Sequence, residues 1–178
     1  MTTEPAEPVR DLLRLEYQAL KEEQRSRITA RDRLVYATLA VLVATVAAGT
    51  DRPVILLLLP AVCATLGWTY LVNDAKVTAI GHYIRTELTP RLASTLHAGG
   101  VEILGWELAR GFDGRRRARK LLQLGANLAT FVVPSLVALA QFWLSGSPPV
   151  QLLIASALEF AAVTVLGVQL VRYADLSR

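Results

Sequence analysis

The chain has one cysteine, one methionine and two histidines. A lone thiol closes no intrachain disulfide, and Cys63 lies inside an apolar run, where it reads as a small core residue. His82 and His97 stand fifteen residues apart, with no cysteine or carboxylate spacing near them that suits a metal. There is no Gly-rich phosphate loop of the P-loop or Rossmann kind. There is also no nucleophile elbow and no pair of acids of catalytic type. These absences argue against an enzyme and imply no cofactor and no metal site. The absence that decides fold class is of another sort. Residues 34–50, 54–72 and 121–158 contain no Asp, Glu, Lys or Arg.

What fills those stretches is aliphatic. The chain is 53% hydrophobic with a mean hydropathy of +0.39, above the usual range of a soluble domain. Four apolar runs stand out: 34–49, 53–72, 121–144 and 153–171. Crossing about 30 Å of hydrocarbon takes roughly 20 apolar residues. The first run is short, but Tyr36 and the snorkelling arms of Arg31 and Arg33 extend it. The expected fold is therefore all-α and integral to a membrane, with four transmembrane helices in two hairpins and a cytoplasmic helical stalk. The 178 residues divide into a cytoplasmic helix (1–33), a first hairpin (34–72), a cytoplasmic amphipathic helix with a basic loop (73–120), a second hairpin (121–172) and a tail (173–178).

Charge sets the expected orientation. Of 19 Lys and Arg, seven precede the first run, nine fall in 73–120 and two follow the last, leaving only Arg52 on the other side. The positive-inside rule then puts both termini and the middle segment in the cytoplasm, in the cell (inner or plasma) membrane. The start is acidic and Pro-rich, without the basic region of a cleavable signal, so the first span is expected to act as its own insertion signal. The net charge of +4 carries no aromatic platform or recognition motif, so no nucleic-acid partner is expected. The run Arg115, Arg116, Arg117, Arg119 and Lys120 reads as a basic collar that meets lipid head groups.

From Val9 the pattern turns helical, with residues 1–8 expected to fray. Leu13, Tyr17 and Leu20 form a stripe that fades where Gln24, Arg27 and Arg31 take over, so any coiled coil lasts about two turns. Val77, Ile80, Ile84, Leu88, Leu92 and Leu96 form a second stripe, and the first is its natural partner. Thr89-Pro90 predicts an N-cap and a restart. Trp106 is a large aromatic outside the runs, expected to dock on the stalk, on the lipid interface or on a cytoplasmic protein partner. Within the spans, Pro60 and Pro134 predict helix kinks. Trp68 and Tyr70 fall where a cytoplasmic aromatic belt would lie.

Glu159 interrupts the fourth run. Ten residues of helix from Pro149, about 15 Å, bring it to the middle of the hydrocarbon. A carboxylate there costs at least about 2.5 kcal/mol and marks a pathway, a proton site or polar glue between helices. If the turn centres on Gly146, Glu159 lies level with Pro134 and Ser135, near the Thr130 carbonyl freed by the proline. The first hairpin offers Thr38 and Thr65 at similar depth. Asn127 and Gln141 extend the polar positions of the third run. The pore or proton-site candidates are thus Glu159, Ser135, Asn127, Gln141, Thr38 and Thr65.

With EYQALKEEQRSRITARDRLVYATL, GWTYLVNDAKVTAIGHYIRTEL and RRRARKLLQLGANLATFVVP in view, the chain resembles small actinobacterial four-span membrane proteins of unassigned function. Its layout also resembles the SLATT and four-TM effector modules of bacterial defence systems, which implies pore formation or membrane perturbation. No motif transfers a functional residue. The expected function is an oligomeric pore, channel or membrane-perturbing effector with a midplane carboxylate, assembled as a homo-oligomer through the stalk or the Ala40/Ala44/Ala48 face. The alternative is a non-catalytic scaffold or regulatory subunit whose stalk binds a cytoplasmic protein.

Overall fold

The computed structural model describes residues 6–49, 53–95, 116–146 and 148–174. Leu96, His97, Trp106 and Arg115 lie outside the described residues, as do the side chains of Arg116 and Arg117. Among the described residues every regular element is helical. These are α1 (Ala6–Gly49), a 3-10 turn (Pro53–Leu57), α2 (Leu58–Tyr83), a π turn (Ile84–Leu88), α3 (Thr89–Thr95), α4 (Arg116–Asn127), a second π turn (Leu128–Val132), α5 (Val133–Leu144) and α6 (Val150–Ala174). Four stretches are long and apolar enough to cross a membrane: Pro8–Gly49, Val54–Ser94, Ala118–Leu144 and Val150–Ala174. By length and composition this is a multi-pass membrane protein.

α1 begins at Ala6, earlier than the stripe from Val9 predicts. Pro8 stands in its first turn, where backbone N–H groups have no intrahelical acceptor and a missing donor costs little.

The chain forms two compact units. The first comprises Met1–Thr29 and Asn73–Gly114. Its core is Ile84, Leu88 and Leu92, packed against Leu13, Tyr17, Leu20, Ile80 and Tyr83. Two spacings of three and four on each helix make these two stripes, and each fully buried Ile or Leu contributes about 1.5–3 kcal/mol. The stripe of α1 does not end after Leu20; it changes chemistry. Gln24 Nε2 donates to the Val77 carbonyl at 3.3 Å, and Arg27 Nη1 donates to Asn73 Oδ1 at 3.2 Å while pairing with Glu23. At the apolar end Tyr83 Oη donates to Glu16 Oε1 at 2.7 Å. That hydrogen bond, made by the neutral phenol to a carboxylate, holds the Tyr83 hydroxyl above its ordinary pKa.

The second unit comprises Ala30–Val72 and Arg115–Arg178. One cluster joins Tyr70, Leu71, Phe131, Leu166 and Leu170. A second holds Leu57, Leu139 and Phe142, and a third holds Leu59, Cys63 and Ala138. Tyr70 faces the packed interior of the unit, unlike Trp68. It is buried, its ring 5.4 Å from that of Phe131 and 5.7 Å from the Arg31 guanidinium, whereas Trp68 is half exposed. Gly67 is the close-approach point, because a Cβ there would lie 2.6 Å from Leu166 Cδ2 and 3.1 Å from Phe131 Cγ.

The prolines act through helix winding. Pro90 and Pro134 each stand second in a helix that follows a five-residue π turn. In both, the residue before proline sends its N–H five residues back, Thr89 to the Ile84 carbonyl and Val133 to the Leu128 carbonyl. The pyrrolidine ring crowds the carbonyl four residues back, and one wider turn relieves that clash. Thr89 is therefore no N-cap: its backbone is helical, and its Oγ1 donates to the Ile84 carbonyl at 2.7 Å. Pro60 stands third in α2, and the irregular winding lies upstream of it, in the 3-10 turn.

Candidate functional site

The candidate site belongs to the second unit and rests on the inward faces of its helices. On α6 the buried positions are Ser156, Val163, Leu166 and Leu170, and the half-buried Leu152 and Glu159 fall in register with them. Their spacings of three and four make one stripe, and Glu159 is on it. On α1 the inward stripe is Leu34, Thr38, Leu42, Thr45 and Gly49, while Ala40, Ala44 and Ala48 are exposed. On α5 it is Ser135, Ala138, Leu139 and Phe142.

Two of the hydroxyls on these stripes, those of Thr38 and Ser135, satisfy themselves within their own helices. Thr38 Oγ1 donates to the Leu34 carbonyl and Ser135 Oγ to the Phe131 carbonyl, both at 2.8 Å. Thr38 is 1% exposed and Ser135 fully buried. Bonds to the carbonyl four residues back let a hydroxyl sit in an apolar layer at little cost. The Cys63 side chain is fully buried and packs with Leu59 and Ala138. Glu159 is different. Its Oε2 is buried and has no hydrogen-bond partner among the described residues.

The register of α5 against α6 separates Glu159 from Ser135. Trp143 Nε1 donates to Ser156 Oγ at 2.9 Å, and the Trp143 and Phe160 rings lie 5.8 Å apart. Further along, the Val132 methyls lie 3.7 Å from the Cβ position of Gly167. Interpolation between the Trp143–Ser156 and Val132–Gly167 contacts puts Glu159 level with Ala140 and Ser135 level with Thr164. The offset is five residues, about 7.5 Å along the helix. The expected meeting of Glu159 with Ser135 or the Thr130 carbonyl is therefore not formed, because the turn does not centre on Gly146 in the way a symmetric hairpin would.

The other expected positions scatter. Asn127 is half-buried at the end of α4 and caps nothing with its side chain. Gln141 is exposed. It follows Ser135 by six residues, a rotation of about 600°, so the two point roughly 120° apart and cannot share a face. Thr65 is exposed, its Oγ1 donating to the Ala61 carbonyl at 2.9 Å. It borders a shallow groove with Ala64, Trp68 and Ala161. Of the basic collar, Arg119 is exposed and Lys120 half-buried.

Sequence reasoning missed Ser156 and Trp143. Ser156 is 1% exposed and both accepts from the indole and donates to the Leu153 carbonyl at 2.9 Å. The signal was present: Ser156 precedes Glu159 by three, on the same stripe. No group of three or more His, Cys, Asp or Glu that could hold a metal occurs among the described residues.

The chain matches no known protein family, no curated protein and no solved structure.

Taken together, the inward stripes make an apolar interior that holds four hydroxyls, three of them bonded within their own helices, and one thiol. On its α6 side stands Glu159, one of whose carboxyl oxygens is buried without a hydrogen-bond partner among the described residues.

Proposed function

We propose that the protein is an oligomeric membrane pore, channel or membrane-perturbing effector in which Glu159 lines or gates the path. The observation that carries this reading is the unpartnered Oε2 of Glu159, buried on the inward stripe of α6. Held as a charge at mid-membrane, the side chain costs at least about 2.5 kcal/mol, so it calls for a proton, an ion, a water file or a donor from another copy. Each span also leaves most of its surface uncovered within one chain: the apolar windows are only 11% to 39% buried. An oligomer would cover part of that surface. The exposed Ala40, Ala44 and Ala48 on α1 are small enough for close helix approach. The layout likeness to SLATT and four-TM modules runs the same way.

The test is ion flux in liposomes, comparing the protein with Glu159→Gln at equal reconstitution. A change in rate or ion selectivity is the expected outcome and puts Glu159 on the path. Equal flux from both demotes Glu159 to helix glue. No flux from either, across pH and voltage, removes the unassisted channel.

A second reading is favoured by a separate observation in the first unit. Val9, Leu12 and Leu15 are 48%, 65% and 60% exposed, beside the packed Leu13/Tyr17/Leu20 stripe. Apolar side chains left open on a helix that the charge bias puts in the cytoplasm suit a docking face. In that reading the protein is a membrane scaffold or regulatory subunit, and its partner is a cytoplasmic protein.

A further inference from the structure

A groove of about 550 Å³ runs along the second unit between α6 and the α4–π–α5 segment. One wall is Leu128, Val132 and Leu136; the other follows α6 from Phe160 through Val168 to Arg172. Three features of this groove point to one class of occupant. The first is length. Phe160 to Arg172 is twelve residues, about 18 Å of helix, and one leaflet of a bilayer offers about 15 Å of hydrocarbon. The second is charge. Arg172 is the charged residue of the lining, it stands at the end of the groove where α6 closes, and it is exposed. Lys and Arg bias puts that end at the cytoplasmic face, where the leaflet carries anionic head groups. The third is the chemistry of the walls. They are aliphatic and aromatic, and the hydroxyl among them, Thr164, already donates to the Phe160 carbonyl at 2.8 Å. Nothing along the groove asks for a polar partner until Arg172.

We propose that this groove binds one acyl chain of an anionic phospholipid of the inner leaflet, with the head-group phosphate held by Arg172. A flexible hydrocarbon chain fits a long apolar channel between two helices, and a guanidinium at its interfacial mouth matches a phosphate in bidentate fashion. The site is separate from Glu159 and does not depend on conduction.

The test uses the full-length protein in detergent, incubated with equimolar phosphatidylglycerol and phosphatidylcholine of identical acyl chains. Retained lipids are counted by native mass spectrometry. The wild type retains phosphatidylglycerol in preference. Arg172→Gln cuts that preference roughly fivefold, the weight of one basic side chain near anionic lipid, and Arg172→Lys keeps most of it. Val168→Trp, which fills the groove from an exposed position, lowers retention of both lipids while circular dichroism stays helical. Equal retention of the two lipids by the wild type overturns the proposal. So does a preference that survives Arg172→Gln but falls with Arg119→Gln, which moves the head group to the basic collar. If Val168→Trp leaves lipid retention unchanged and lowers the oligomer mass, the groove holds a second copy of the chain, and the lipid assignment fails.

Discussion

At Gly67, in the second unit, α2, α6 and the π turn before α5 come closest. Its Cβ position is 2.6 Å from a Leu166 methyl and 3.1–3.2 Å from Phe131. The methyl is the free end of a flexible side chain, so for Gly67→Ala Leu166 shifts and Phe131 has to give only by a few tenths of an ångström. Gly67→Val adds two more carbons beside Phe131, which is fully buried and held against Tyr70. Overpacking of that kind costs about 1–3 kcal/mol. The expected result is a clear drop in thermal unfolding temperature in detergent for Gly67→Val and a small one for Gly67→Ala; equal melting of both with the wild type would show that the helices are not this close. Gly67 was not legible in the sequence, because a glycine in an apolar run says nothing about what faces it. Glu159 was legible, since a single carboxylate in such a run stands out, and its inward placement follows from the period of its neighbours. Its level against α5 was not. That level is fixed by the Trp143–Ser156 and Val132–Gly167 contacts, and no rule of turn length predicts a five-residue offset.

At the scale of elements, the pairing of α1 with the end of α2 and α3 was written in two apolar stripes of helical period, the shorter on α1. The apolar stripe continues into the hydrogen bonds of Gln24 and Arg27 because long polar side chains reach backbone and amide groups on the facing helix as well as they reach water. Sequence patterns score such residues as a break in the seam. The two π turns show a similar limit. Proline announces a disturbance, but whether the helix kinks, restarts or widens by one residue depends on whether the N–H before it finds the carbonyl five back, as at Thr89 and Val133. The helix pair itself gives a direct test. Leu88 is fully buried among Ile84, Leu92 and the α1 stripe. Leu88→Ala removes the bulk that holds the pair and should cost about 2–5 kcal/mol. Amide hydrogen exchange in micelles should quicken by roughly thirtyfold or more over residues 84–92, since exchange there follows local opening. Unchanged protection would mean that the pair is not formed in solution.

At the scale of the whole molecule the governing quantity is the distribution of charge. Eighteen of 19 Lys and Arg fall before the first apolar run, between the second and third, or after the fourth. Four spans with that bias have one low-energy orientation, since moving either basic segment across the bilayer means translocating several positive charges against the insertion preference. The orientation is testable residue by residue. Cys63 is fully buried, so it is shielded from the reagent, and Cys63→Ala gives a thiol-free background at the cost of a small cavity. Into it go Arg25→Cys, Thr78→Cys and Ser145→Cys, each at an exposed position. Two spans separate Arg25 from Thr78, and one more precedes Ser145. A membrane-impermeant maleimide added to intact cells should label Ser145→Cys alone, with Arg25→Cys and Thr78→Cys reacting only after permeabilisation. Labelling of the latter two alone in intact cells would keep four spans and invert the molecule. Labelling of all three from outside would mean that the apolar runs do not cross. In that outcome the cost of burying Glu159 falls away, and with it the reason to look for a path through the protein.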